Sequence, residues 1–220
     1  MARQNHNVFV TGGTGYLGRF LLPQLIARGH TVAALTRAGS EGKLPTGANV
    51  IQGNALDRLT FEKKIKPADT FIQLVGVPHP SPAKAAQFRS IDLVSVRESV
   101  QAAKQAGIRH FIYLSVAQPA PIMKAYLAVR AEGEEMIRQS GMSATFIRPF
   151  YVLGPGHWWP YAILPAFWIF GLFPKWRDGA RRLKPVKLAS TVTALVDAVE
   201  NPPDQVRIVD APEISGLALD

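Results

Sequence analysis

Between Asn7 and Ile147 the sequence alternates short apolar stretches with amphipathic ones. No other feature constrains the fold as much as this rhythm. Val8–Val10, Thr31–Thr36, Val50–Gln52, Thr70–Val75, Phe111–Ser115 and Ala144–Ile147 read as strands. Tyr16–Arg28, Leu59–Lys66, Phe88–Ala106 and Met123–Gln139 read as helices, with Gly29, Gly107 and Gly141 as stop residues for three of them. Strands that are nearly continuous apolar runs, alternating with helices, predict an α/β chain whose parallel sheet is covered on both faces. After Pro149 the rhythm breaks. Tyr151–Pro174 is aromatic and proline-interrupted, and is expected to form a cap of loop and short helix. Arg182–Leu188 then reads as a strand, Thr191–Glu200 as a helix and Val206–Val209 as a last strand. The expectation is one domain over residues 1–220, with 150–220 contributing a small substrate or cap region.

The stretch Asn7–Phe20 (NVFVTGGTGYLGRF) carries the clearest chemical signal. Glycines at Gly12, Gly15 and Gly18 follow a strand and open a helix, the setting that a dinucleotide-binding turn requires. Gly12 and Gly13 let the chain turn sharply, Gly15 lets a pyrophosphate approach the backbone, and Gly18 lets helix and strand pack closely. The helix start then offers free N–H groups and the positive end of its dipole to phosphate. Thr14, Tyr16, Leu17 and Arg19 complete the turn.

Composition excludes other classes. The chain has no cysteine, so disulfides, thiolate metal sites and cysteine nucleophiles are ruled out. Its five histidines are scattered without metal-ligand spacing, and no metal is expected. The net charge of +9 suggests nucleic acid. However, the basic residues are spread along the chain, so solvated surface is the better reading and no nucleic-acid partner is expected. The start of the chain, Met1–Asn7, is polar and does not read as a signal peptide. Trp158–Pro174 has 17 residues and three prolines, where a membrane span needs about 20 unbroken apolar residues. No transmembrane span is expected and the location is read as cytoplasmic, with a peripheral membrane contact left open. The sequence does not indicate an oligomeric state.

Three segments together carry a family resemblance. TGGTGYLGRFLLPQLIARGHTVAALTR resembles the opening of extended and atypical short-chain dehydrogenases/reductases. SVQAAKQAGIRHFIYLSV resembles their fourth-helix-to-fifth-strand segment, and FIRPFYVLGPG their segment after the sixth strand. The similarity runs from about Asn7 to Gly156, with its motifs in order. It implies a Rossmann-type doubly wound sheet of strand order 3-2-1-4-5-6, with a nicotinamide cofactor across the C-terminal strand ends. The remainder looks like NAD(P)H-binding proteins of the NmrA-like and complex I accessory-subunit-like kind, in the NAD-dependent epimerase/dehydratase superfamily.

Several residues acquire candidate roles. The second strand ends in Thr36-Arg37 with no carboxylate before Glu41. An arginine there fits a 2′-phosphate, which favours NADP(H) over the alternative, NAD(H). Arg19 is a candidate assistant. By resemblance, Asp57 in the segment Asn54, Ala55, Leu56, Asp57 stands beside the adenine amino group; capping of the following helix is the alternative. Leu74, Val75 and Gly76 are expected to line the adenosine ribose and pyrophosphate. The resemblance also implies a catalytic set of tyrosine, a lysine four residues on, and a serine. Here these are Tyr126, Arg130 and Ser115. Arginine in the lysine position supports a phenolate electrostatically, but it does not join a proton relay. Pairing with Glu134 one turn on is its bland alternative. Pro149 and Phe150 are expected against the nicotinamide, and Tyr151, Trp158, Trp159, Phe167 and Trp168 form either an apolar pocket wall or core. The expected function is an NADP(H)-dependent oxidoreductase of a small or apolar carbonyl or quinone-like substrate. A non-catalytic NADP(H)-binding redox sensor or assembly protein is the alternative.

Overall fold

In a computed structural model of the chain, residues 4–120, 123–156, 178–179 and 182–217 are described. Seven of its strands form one parallel sheet in the order β3-β2-β1-β4-β5-β6-β9. They are β1 (Asn7–Thr11), β2 (Thr31–Thr36), β3 (Asn49–Gln52), β4 (Thr70–Gln73), β5 (His110–Leu114), β6 (Ser143–Arg148) and β9 (Val206–Asp210). This is the Rossmann-type order expected, extended at one edge by β9, which pairs parallel to β6.

Side-chain alternation along the strands separates two apolar layers. Val8, Val10, Ile72 and Ile112 face one side, against Leu21, Leu22 and Leu25 of α1 (Gly18–Ala27) and Leu195 and Val199 of α5 (Leu188–Glu200). Phe9, Phe71 and Phe111 face the other, in register across β1, β4 and β5. Their rings lie 5.2 and 5.1 Å apart, a continuous aromatic row through the middle of the sheet. Val96, Val100 and Ala103 of α3 (Val94–Ala106) and Ile137 of α4 (Lys124–Gln139) cover that layer.

Some elements differ from the sequence reading. The helix expected over Leu59–Lys66 is two 3-10 turns, Arg58–Thr60 and Glu62–Lys64. Pro67 disfavours α geometry at the residue before it, which shortens the run. The helix expected over Phe88–Ala106 is composite. A single α turn, α2 (Ala85–Gln87), passes into a π-helical turn, Phe88–Leu93, and then into α3. The wider turn buries both Phe88 and Asp92. The strand expected over Arg182–Leu188 shrinks to β8 (Val186–Lys187), because Pro185 removes a ladder donor. It pairs parallel with β7 (Val152–Leu153) in a separate two-stranded sheet. After β9, the short α6 (Ala211–Gly216) closes the described chain. The aromatic stretch around Trp158, Trp159, Phe167 and Trp168 lies outside the described residues. Among the described residues, no helix is long and apolar enough to cross a membrane.

Candidate active site

The C-terminal ends of β1, β2, β4, β5 and β6 open into one cleft of about 690 Å³. Its floor is the glycine turn. Gly12 has φ +78°, and a Cβ there would lie 2.9 Å from the backbone of Leu74 and Val75, so only glycine brings β1 this close to the end of β4. The Gly15 N–H donates to Gly12 O at 3.0 Å and closes the turn. A Cβ on Gly15 would meet only Gly12 O, at 3.1 Å, so that side of the turn is open space. Gly18 is filled in: a Cβ there would overlap Gly13 O. Gly13 itself lies beneath, near Leu22, Ala34 and Leu44. Thr14, Gly15, Tyr16, Leu17 and Gly18 stand on the cleft wall, so the turn presents backbone to the cleft.

At one end, Arg37 lines the cleft together with Ser40, Lys43 and the segment Asn54, Ala55 and Leu56. Ser40 and Lys43 escaped the sequence reading; their only signal is proximity to Arg37 in the turn after β2. Glu41 is the first carboxylate after that strand, and it accepts from Gln52 Nε2 at 2.7 Å. Asp57 is not among the lining residues. Its carboxylate accepts from the Leu59 N–H at 3.1 Å and caps the first 3-10 turn. Arg19 is also apart from Arg37. It borders a smaller adjoining cavity with Thr14, Gly15, Tyr16, His79, Pro155 and Gly156, and its guanidinium stands over the Tyr16 ring.

Leu74, Val75, Gly76, Ser115, Tyr126, Arg130, Pro149 and Phe150 line the rest of the cleft. Tyr126 packs its ring on Phe88 at 5.0 Å. The Arg130 guanidinium stands 5.0 Å from the centre of the same Tyr126 ring. Arg130 does not pair with Glu134. It donates through Nη2 to Asp92 Oδ1 at 2.8 Å and through Nη1 to Leu114 O at 2.9 Å, and is only 4% exposed. Burial opposes the charge, but Tyr126, Tyr113 and Asp92 outweigh it and hold the arginine firmly protonated. Burial raises the Asp92 carboxyl above the usual range, against the pull of Arg130 and the Val77 N–H. Beside this pair, burial pushes the Tyr113 phenol up to about 12, so it stays neutral.

Glu134 has a different set of partners. Ser115 Oγ donates to its Oε1 at 2.6 Å and Arg148 Nε donates to the same oxygen at 2.8 Å. Arg148 Nη2 and Arg138 Nη2 reach Oε2, and Gln118 Nε2 adds a third donor to Oε1. Bonding to Glu134 is the main reason that the Arg148 pKa is raised. The sequence reading named Glu134 only as the alternative partner of Arg130 and did not single out Asp92, because the inward orientation of both acids depends on tertiary packing.

The fold and this cleft define a nicotinamide-nucleotide-binding protein of the short-chain dehydrogenase/reductase type. The family model described as NAD(P)H-binding matches residues 12–155, and the chain belongs to that family. It is 31% identical over 157 residues to a ceramide reductase of Caulobacter vibrioides, covering 68% of this chain and 47% of that protein. It is 28% identical over 200 residues to a 4-hydroxy-2-methyl-3-oxo-4-farnesyl-3,4-dihydroquinoline-1-oxide ketoreductase of Stigmatella aurantiaca, covering 80% and 58%. The chain thus spans about half the length of these curated relatives. In fold it resembles the Bordetella bronchiseptica enzyme WbmH in complex with NAD+, with a TM-score of 0.69 and 19% identity, covering 94% of this chain and 76% of that one.

Proposed function

We propose that this chain is the cofactor-binding and catalytic unit of an NADP(H)-dependent reductase, with residues 1–220 acting as one domain and 150–220 as its cap. The observation that carries the reading is the shared cleft: the glycine turn, Arg37 and the Ser115–Tyr126–Arg130 group border one cavity of about 690 Å³. In this reading the turn from Gly12 to Gly18 cradles the pyrophosphate. Arg37, helped by Ser40 and Lys43, takes the 2′-phosphate, and Asn54 to Leu56 border the adenine. Arg19 and Asp57 contribute less than their sequence positions imply, since neither lies on this cleft.

When bound, the nicotinamide supplies the hydride. Tyr126 gives or takes the proton at the substrate oxygen, and Arg130 holds a fixed positive charge under its ring. Val77, Ile91, Val116 and Phe150 make the remaining wall apolar, which suits an apolar carbonyl or quinone-like substrate. The reductase and ketoreductase relatives support that class. The test is titration of the chain with NADPH and NADH, followed by turnover of a panel of apolar ketones and quinones. Binding of neither nucleotide would overturn the reading.

A second reading has its own support. The Ser115 hydroxyl is donated to Glu134 and the Arg130 cation is neutralised by Asp92, so two of three catalytic groups are engaged within the protein. Tight NADPH binding without turnover across the panel would favour a cofactor-binding sensor or assembly role.

A further inference from the structure

We infer that Asp92 is the positioning residue for the nicotinamide end of the cleft. It is not among the cleft-lining residues and acts through two groups that are. Its Oδ1 accepts from Arg130 Nη2 at 2.8 Å, and its Oδ2 accepts from the Val77 N–H at 3.0 Å. One buried carboxylate therefore ties the loop after β4, which carries Gly76 and Val77, to the helix that carries Tyr126 and Arg130.

Three features tighten this link. First, Asp92 reaches inward from the π-helical turn Phe88–Leu93, and such widened turns recur at functional positions. Second, Gly76 leaves room for the pair: a Cβ there would overlap Arg130 Nη2 and lie 3.2 Å from Asp92 Oδ1. Third, Leu114 O accepts from the other end of the guanidinium, so Arg130 is gripped from β5 as well. A lysine at 130 would be a mobile point charge. This arginine is a planar group fixed on both sides, with its position beside Tyr126 set by Asp92. Glu134 cannot serve in its place, because its oxygens are occupied by Ser115, Arg148, Arg138 and Gln118.

The inference rests on the proposed cofactor orientation, and the experiment separates the two. Nucleotide affinity is measured for wild type, Asp92→Asn and the double variant Asp92→Leu/Arg130→Met, using whole NADPH and the half-molecule adenosine 2′,5′-bisphosphate. Asp92→Asn keeps the shape and an oxygen for the Val77 N–H. The double variant removes both buried charges, so it avoids the penalty of leaving one unpaired. NADPH affinity should fall about tenfold or more in both variants, the size of one charge-assisted contact. Affinity for adenosine 2′,5′-bisphosphate should stay within about twofold, because that half-molecule does not reach Arg130. General damage to the fold would weaken both ligands together. Unchanged NADPH affinity in Asp92→Asn, or equal losses for the two ligands, would overturn the inference. Failure of the wild type to bind NADPH or NADH would instead overturn the proposed function.

Discussion

Ser115 donates its hydroxyl to Glu134 across 2.6 Å, and both side chains are buried, at 3% and 1% exposure. The hydroxyl has one proton, and this bond uses it. Toward the cleft Ser115 therefore offers lone pairs, which leaves the donor role at a substrate oxygen, in the proposed function, to Tyr126.

Tyr126→Phe and Ser115→Ala should consequently differ. Tyr126→Phe keeps the ring packing on Phe88 and deletes only the hydroxyl, so turnover should fall about a hundredfold or more with NADPH affinity nearly unchanged. Ser115→Ala should cost less than about tenfold in turnover and about 1–3 kcal/mol in stability, from the lost bond to a buried carboxylate. Steady-state kinetics and denaturant titration measure the two effects. A larger turnover loss in Ser115→Ala than in Tyr126→Phe would reverse the assignment.

Cofactor preference should depend on Arg37. A guanidinium contact to a 2′-phosphate is worth on the order of 1.5–3 kcal/mol, so NADPH should bind at least about tenfold more tightly than NADH. Arg37→Ala should erase most of that preference, and Lys43→Ala a smaller part, since both line the same end of the cleft. Fluorescence titration of both nucleotides settles it; equal wild-type affinities would count against NADP(H).

Gly15→Val should fold and yet fail to bind. The Cβ position meets only Gly12 O, at 3.1 Å, so the added side chain stands in the cleft rather than in the core. Circular dichroism should match wild type while NADPH affinity drops about a hundredfold or more, through collision with the pyrophosphate. A folded variant of wild-type affinity would remove the glycine turn from the site.

Acid should destabilise the opposite end of the sheet. His110, at the start of β5, is 2% exposed, with Nε2 2.9 Å from Thr145 Oγ1. Burial, helped by His6 and opposed by Asp69, lowers its pKa from 6.5 to about 4. His30 is lowered too, chiefly by burial. Between these limits the unfolded chain binds more protons than the folded one. The stability from keeping His110 neutral is therefore present above about pH 6.5 and lost as pH falls toward 4. The difference amounts to about 3 kcal/mol. Denaturant midpoints from pH 7 to 4.5 should fall less steeply in His110→Gln than in wild type, and parallel slopes would contradict this account.

The sequence by itself determined the alternation of strands and helices behind the parallel sheet, and the family resemblance implied its order from β3 to β6. The alternation rests on local patterns, apolar runs of strand length and helical periodicity, while the order came with the family motifs that follow one another along the chain. Only the tertiary structure decided the partners of the buried charges. Arg130 and Glu134 stand one turn apart on α4 and would pair in an isolated helix. In the folded protein Arg130 turns to Asp92, 38 positions earlier, and Glu134 to Arg148 and Ser115. The extra width of the Phe88–Leu93 turn was equally hidden, as was the joining of β9 to the sheet edge, whereas the capping by Asp57 was one of its two sequence readings. A buried charge takes whichever partner the packing brings within reach, and that choice depends on elements far apart in the chain.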